Sequence, residues 1–311
     1  MRFLVAGELN LDLILQNYLS FPALGQETLV EDITLTLGSS GAICAAGLAK
    51  LGNAVSFTGK LGCDSWGDAC LEFLAKLGVE SSRVIRDAGV KTGITVSITS
   101  PRDRAMVTYL GAMEAMRADE IAARGWDGFD HLHVSSIFLQ RALRPDLKHL
   151  MAQAHAHGLT TSIDPGFDPR EKWGRDVIDT LTEVDVFLPN EGELAGIAGS
   201  SDPGPGLRAL DNGRTLTVAK LGRKGCAVLE RGELVSVAAI PVETVDTTGA
   251  GDSFNAGFLH AWLRKVPLRD ALRFAAACGA ISTLGSGGTT AQATEEQAQG
   301  LLGLNPAPER L

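Results

Sequence analysis

Short apolar or β-branched runs alternate with Ala/Leu-rich stretches of helical period along most of this chain, and that alternation limits the fold more than any other feature. The runs are Phe3-Leu4-Val5-Ala6, His131-Leu132-His133-Val134, Thr160-Thr161-Ser162-Ile163, Val184-Asp185-Val186-Phe187-Leu188 and Thr215-Leu216-Thr217-Val218. Between them lie stretches such as Ala42 to Leu51, Asp68 to Leu77 and Leu147 to His157. Strands separated by helices predict an α/β fold, a mainly parallel sheet covered by helices on both faces. Two segments break the pattern. Glu27 to Leu37 and Thr92 to Tyr109 alternate polar and apolar residues, the second interrupted by a Pro101-Arg102-Asp103-Arg104 turn, as antiparallel strands with one wet face would. They predict a small accessory sheet inserted twice, at about 12–37 and 90–112, into one body spanning 1–311. Gly199 to Gly206 reads as a surface loop and Gly303 to Leu311 as a frayed end.

Composition narrows the function. With 28 basic against 37 acidic residues the net charge is −9, and no Lys/Arg cluster stands out. An electrostatic footprint for nucleic acid or anionic membrane is missing, so small-molecule chemistry is the expectation. Met1 to Leu15 is apolar, but Glu8, Asn10 and Asp12 interrupt it, and it reads as a first buried strand rather than a signal peptide. The five cysteines (Cys44, Cys63, Cys70, Cys226, Cys278) show no Cys-x-x-Cys pair or zinc spacing, which fits a reducing cytoplasm. His131/His133 and His155/His157 lack the spacing of a helical zinc site and read as structural.

Chemistry concentrates in Val245 to Phe258. Gly249-Ala250-Gly251 opens a turn where backbone N–H groups can converge on an anion, and an Ala-rich helical pattern follows. Asp252 stands at the junction, where helix dipole and amides favour its ionised form and a carboxylate can take a proton from an attacking hydroxyl. A dinucleotide fingerprint would need glycine at Phe254, and a Walker loop would need Gly-Lys-Ser/Thr, whereas Gly59-Lys60 runs into Leu61 and Gly222 into Arg223.

Several separated motifs occur in the order of one family. They are Gly7-Glu8 with Asp12, Gly38-Ser39-Ser40-Gly41-Ala42 leading to Leu51-Gly52, Gly62 to Gly67, Pro189-Asn190-Glu191-Gly192-Glu193, Lys220 to Gly225, and Asp246 to Phe258. Across nearly its whole length the chain resembles the PfkB-type carbohydrate kinases of the ribokinase-like superfamily. The resemblance implies a three-layer α/β/α fold with a β-sheet lid and ATP-dependent transfer of a phosphoryl group to a sugar hydroxyl. In it, Asp252 is the base and the Gly249, Ala250 and Gly251 amides form the anion hole. Asn190 and Glu193 hold Mg²⁺ with the nucleotide phosphates, largely through water, while also reading as a helix cap. Lys220, Gly222 and Gly225 match the nucleotide-side turn, although Lys220 alone reads as a solvated charge. Ala276, Cys278 and Gly279 match positions bordering the adenine, and equally read as close helix packing.

Many members carry a monovalent cation beside the anion hole, and Asp246, Thr248, Ser282, Gly285 and Gly287 match its positions, which implies a potassium site. At the acceptor end Asp12 matches the carboxylate that takes sugar hydroxyls, and Gly38 and Ser39 occupy the Gly-Gly step. Ile43 replaces the usual asparagine and removes one polar sugar contact. The substrate expected is a free ketose or pentose. A sugar acid of the 2-keto-3-deoxygluconate type or a sugar phosphate would call on Arg102, Arg104 or Arg170, and a nucleoside on Phe21, Tyr109 or Phe138. A non-catalytic sugar or nucleotide sensor of the same fold is the remaining reading. The lid strands, with an apolar face, predict a homodimer.

Overall fold

The computed structural model describes residues 1–18, 20–99 and 104–305, Arg104 by its backbone alone. An eight-stranded sheet forms the centre. In spatial order its strands are Glu233–Val237, Cys226–Glu230, Leu216–Lys220, Val186–Phe187, Thr160–Asp164, His131–Ser135, Arg2–Ala6 and Ala54–Thr58. The six from Leu216–Lys220 onward pair in parallel, and the other two form an antiparallel hairpin on the edge.

Side-chain alternation along each strand feeds two cores, as the strand period of two requires. Phe3 and Val5 face one side with Val186, Leu188, Val218 and Val228, while Leu4 and Ala6 face the other with Leu132, Val134 and Phe187. The first core is closed by the helices Ser40–Lys50, Ala250–Leu263 and Leu268–Ser282, the second by Leu147–Ala156, Arg175–Leu181, Glu191–Ala198 and Pro203–Leu210. His131 and His133 lie in the sheet, bonded to Ser162 at 2.7 Å each, and burial pushes both below the usual imidazole range.

A separate four-stranded lid has the order Asp32–Leu37, Asn10–Gln16, Gly93–Thr99, Arg104–Tyr109. Its register sorts two faces. Leu13 stands beside Leu35 and Val96, which in turn neighbours Val107; Asp12 stands beside Thr36 and Thr95, which neighbours Thr108.

Five expectations need correction. Met1 to Leu15 is two strands, because Gly7 and Glu8 break it: a methyl at Gly7 would stand 2.7 Å from Ser135 Oγ, so the chain passes there without a side chain and turns into the lid. The lid is not wholly antiparallel. Its middle pair, Asn10–Gln16 and Gly93–Thr99, is parallel because the two strands come from different insertions. Of Glu27 to Leu37 only Asp32–Leu37 is a strand. Gly199 to Gly206 is not all loop: Pro203–Leu210 is a helix, started by the Asp202 carboxylate accepting the Gly204 amide, with Pro203 at its first position where no N–H is needed. The tail from Gly303 begins inside the helix Glu295–Leu304, which a Thr294/Gln297 capping box opens; residues 306–311 and the Pro101-Arg102-Asp103 turn lie outside the described residues.

The turn after Leu216–Lys220 holds two left-handed glycines with unequal demands. Gly222 has φ 55° and open space around it, whereas Gly225 has φ 96° and its missing methyl would stand 2.0 Å from the Val237 carbonyl oxygen. Gly222→Ala is therefore expected to destabilise the protein by about 1 kcal/mol and Gly225→Ala by about 3 kcal/mol or more, read as midpoints of denaturant unfolding. Equal losses would refute this assignment.

Candidate active site

A cavity of about 760 Å³ opens at the carboxyl ends of the parallel strands and under the lid. Such ends are where an open α/β sheet leaves room for a ligand. Thr160–Asp164 and Leu216–Lys220 end in Asp164 and Lys220, and both line the cavity. Asp12, Thr95, Met106 and Thr108 reach it from the lid, Ser39 and Ser40 from the first helix, and Asp252 from the helix Ala250–Leu263.

The turn before that helix is tightly packed, and Gly249 itself is not among the cavity-lining residues. Gly249 takes φ 72°, and a methyl there would meet Gly288 Cα at 2.7 Å and Ile43 Cγ2 at 2.9 Å. The Ala250 amide donates to the Thr247 carbonyl at 3.2 Å, and Gly251, like Ala250, lines the cavity. Ile43 is corrected in role: it packs beneath Gly249 and Gly288 and is not among the cavity-lining residues, because an apolar branched chain there fills the space under the turn. At the acceptor end the Asn10 amide donates to Asp12 Oδ1 at 2.9 Å and to Thr95 Oγ1 at 3.2 Å. Gly38 leaves room for this: a methyl would stand 2.3 Å from Asp12 Oδ1. Ser39 caps the first helix with φ 78°, and Ser136 has φ 50°; left-handed backbone at non-glycine residues is strain of the kind held at functional sites.

Asn190 and Glu193 form a full capping box. Glu193 Oε1 and Oε2 accept from Asn190 Nδ2 at 2.7 Å and its amide at 2.8 Å, and Asn190 Oδ1 accepts the Glu193 amide at 2.9 Å. Both residues also line the cavity, so cap and ligand-facing roles are compatible. Their oxygens are donors of the kind that a hard divalent cation takes through water. Asp246 accepts from the Thr248 amide and hydroxyl and from the Gly287 amide at 2.8–2.9 Å, so those three are brought together. Ser282 Oγ instead donates to its own helix at Gly279 O, and Gly285 abuts Ala291.

On the nucleotide side Gly222, Arg223, Gly225, Ala276 and Gly279 line the cavity. Cys278 does not. Its sulfur packs on Gly257, where an added methyl would meet it at 2.8 Å, so it belongs to the helix–helix contact. Phe21, Tyr109 and Phe138 are likewise not lining residues, and Phe138 is buried edge-on against Trp173. Among the described residues the aromatic side chains that line the cavity are Phe167 and Phe254. Arg102 lies outside the described residues, as does the Arg104 side chain; Arg170 is exposed and not a lining residue.

Lys220 is the main surprise. It is not a solvated charge: its ammonium donates to Asp164 Oδ2 at 2.6 Å and Asn255 Oδ1 at 3.2 Å, and its side chain is 11% exposed. The Asn255 amide closes the triangle by donating to Asp164. Burial alone would lower Lys220, but Asp164 and Glu193 raise it; burial alone would raise Asp164, but Lys220 and Asn255 lower it. Sequence reading missed Asp164 and Asn255, although a carboxylate ending a parallel strand, and an amide one helical turn past Asp252, were available signals.

The other acids go the opposite way. Burial, then Asp164, Glu8 and Glu193, push the Asp252 carboxyl well above the usual range against the pull of Lys220. The expected pull of the helix dipole toward the ionised form is thus opposed here, since desolvation and neighbouring carboxylates favour the protonated form. Burial and Asp164 raise Glu193 to about 7, and burial raises Glu8 to about 7 despite bonds from Ser136, Ser40 and Ser135.

Comparison with known proteins shows the family. The pfkB family carbohydrate kinase model matches residues 2–295. An ATP-dependent ribose-1-phosphate kinase of Halopiger xanaduensis is 31% identical, covering 90% of this chain and 91% of its own, and fructokinase-2 of Oryza sativa subsp. japonica is 28% identical over 85% and 84%. The ribokinase of Arabidopsis thaliana complexed with ribose and ATP superposes with a TM-score of 0.81 at 24% identity, covering 97% of this chain and 98% of that one. The fold is ribokinase-like. The chain belongs to the pfkB family of carbohydrate kinases, phosphotransferases with an alcohol group as acceptor.

Glu8 gives a pH signature. Its folded value of about 7 lies above the unfolded carboxyl range, so the native state holds a proton that the unfolded chain releases near pH 4.5. Stability should therefore fall as pH rises from about 4.5 to about 7 and level off above. Relative to wild type, Glu8→Gln should flatten that slope by on the order of 1–3 kcal/mol, read from thermal melts at pH 5 and 8. An unchanged slope would place Glu8 outside this role.

Proposed function

We propose that this kinase transfers the γ-phosphate of ATP to a hydroxyl of a neutral free sugar, a ketose or a pentose. One observation carries the reading. Five carboxyl groups (Glu8, Asp12, Asp164, Glu193, Asp252) line the cavity, and among the described residues Lys220, already paired, and the exposed Arg223 are the basic lining residues. A sugar acid or sugar phosphate would add negative charge to a wall that, among the described residues, offers no arginine fork for it. Asp12 would accept sugar hydroxyls, with Gly38 and Ser39 closing around them and the Asn10 and Thr95 groups orienting its carboxylate.

Asp252 would accept the proton of the attacking hydroxyl. That hydroxyl, donating to the carboxylate, favours the ionised form, as Lys220 does already, so the base is armed by the acceptor. The Ala250-Gly251 start of the helix, turned by Gly249, would serve as the anion hole for the peripheral oxygens of the transferred phosphoryl group, where charge gathers in a loose transition state. Bound Mg²⁺ would neutralise phosphate charge, held through water by Asn190 and Glu193. Asp246, Thr248 and Gly287 would border a potassium ion under the anion hole. Gly222, Gly225, Ala276 and Gly279 would admit the nucleotide. The five unpaired cysteines suit a cytoplasmic location, and no helix among the described residues is long and apolar enough to cross a membrane.

The lid face away from Asp12 supports a homodimer. Leu13, Ile33, Leu35, Val96 and Val107 share it, with Ile33 59% and Val107 67% exposed, and a second copy offers a matching surface.

Incubation with ATP, Mg²⁺ and a sugar panel, following ADP and sugar phosphate, tests the activity, and a sensor would yield neither product. Asp252→Asn should keep ATP binding and lower turnover by roughly two orders of magnitude or more, as loss of a general base does; near-normal turnover would remove Asp252 from that role. Light scattering at micromolar concentration should give a dimer that Val107→Glu converts to monomer, and a monomeric wild type would sink the lid interface.

A further inference from the structure

We propose that Phe167 is a substrate-binding residue, its ring a fixed platform for the C–H face of the acceptor sugar in closed-ring form. The proposal rests on the sugar-kinase reading and deepens it. Phe167 is 58% exposed, yet it lines the cavity together with Asp12, Asn10 and Thr95. An exposed aromatic is ordinary on a surface; one held rigid at a ligand cavity is not.

The rigidity has three sources. The ring meets Trp173 edge-on at 5.6 Å, and Trp173 meets Phe138 edge-on at 5.5 Å, with the Arg144 guanidinium 4.5 Å above Phe138. Trp173 is itself wedged against the helix Glu191–Ala198, where a methyl at Gly196 would stand 2.2 Å from its ring. The loop is then cross-tied by buried Asp168, whose carboxylate accepts the amides of Arg170, Lys172 and Trp173 at 2.9 Å each, while Asp164 accepts the Gly166 amide at 3.0 Å. Finally, the backbone is strained. Gly166, Glu171, Trp173 and Gly174 all have positive φ, at 66°, 50°, 53° and 40°. Four such residues within nine positions, two of them not glycine, persist only where the surroundings impose them, and such strain gathers at ligand sites.

The chemistry follows from the two kinds of lining. A closed sugar ring carries hydroxyls that want carboxylates and amides, and a patch of C–H bonds that wants an apolar, polarisable surface. Asp12, Asn10 and Thr95 supply the first. Phe167, with Pro169, Leu139 and the 60% exposed Met106 of the lid, supplies the second. Because the platform is fixed before binding, little side-chain entropy is lost on contact.

The test uses the intact enzyme and the sugar that the panel identifies. Phe167→Ala should raise the sugar KM about tenfold, with kcat within about threefold and the ATP KM unchanged, and Phe167→Tyr should restore the KM to within about threefold. Direct sugar binding by calorimetry, with a non-hydrolysable ATP analogue present, should weaken by the same factor. The open-chain polyol of equal carbon number lacks a fixed C–H face and should bind wild type and Phe167→Ala alike. Melting curves check that Phe167→Ala remains folded. Turnover of a sugar with an unchanged KM and binding constant in Phe167→Ala overturns the platform alone. If wild type phosphorylates no sugar, the kinase reading fails and the platform fails with it.

Discussion

The buried contact of Lys220 with Asp164 is the interaction on which the site depends. Two parallel strands end side by side in opposite charges 2.6 Å apart, and Asn255 of the helix that carries Asp252 bonds to both. Removing water from an ammonium and a carboxylate is expensive, so the pair adds little net stability by itself. Its effect is positional. Asp164, Glu193 and Asp252 would repel one another in a dry pocket, and Lys220 is the buried cation that lets them share it. Asn255 then fixes the helix, and with it the anion-hole turn, against the sheet ends to within a hydrogen bond's tolerance.

That charge arrangement bears on a problem common to all kinases, the competition of water for the γ-phosphate. Burial and the carboxyl groups of Asp164, Glu8 and Glu193 push the Asp252 carboxyl above its usual range, against the pull of Lys220. A protonated carboxyl cannot activate water. On the proposed reading, the acceptor hydroxyl tips the balance toward ionisation only once it is bonded to Asp252. On that reading the acids that crowd the pocket would also work against activation of water by Asp252.

The layered body was legible in the sequence because its signal is periodic: alternate residues of Arg2–Ala6 or Val186–Phe187 serve two cores, and the intervening helices repeat with their own period. The glycine turn leading into the helix Ala250–Leu263 was legible because its signal is local, a left-handed Gly249 immediately before an Ala-rich helical run. What escaped was non-local. Ile43 and Cys278 carry no mark of which way they point, and only packing on Gly249 and Gly257 decides it. Lys220 reads as a surface charge until Asp164, 56 residues earlier, is folded beside it. Phe167 escaped for the same reason, since its rigidity comes from Trp173 and from Asp168, a residue that reads as ordinary loop. The helix Pro203–Leu210 was hidden by its own composition, as Pro and Gly are loop residues except at a first turn that Asp202 caps.

The lid shows how one period-two pattern can meet two requirements. Its central strands are parallel because they come from separate insertions, so neither turn geometry nor a hairpin sets their register. The register is set by sorting: Asp12, Thr95 and Thr108 fall on one face, and Leu13, Val96 and Val107 on the other. A slip of one residue would exchange the faces, putting leucine and valine over the polar pocket and Asp12 outside. The chain therefore pins the strand on the wet side. Asn10 bonds both Asp12 and Thr95, tying the two insertions together at the point where the first leaves the body. On the proposed reading, the carboxylate that would hold the acceptor is thus also part of the lock that keeps the lid in register, and one cluster of side chains would set both acceptor recognition and lid position.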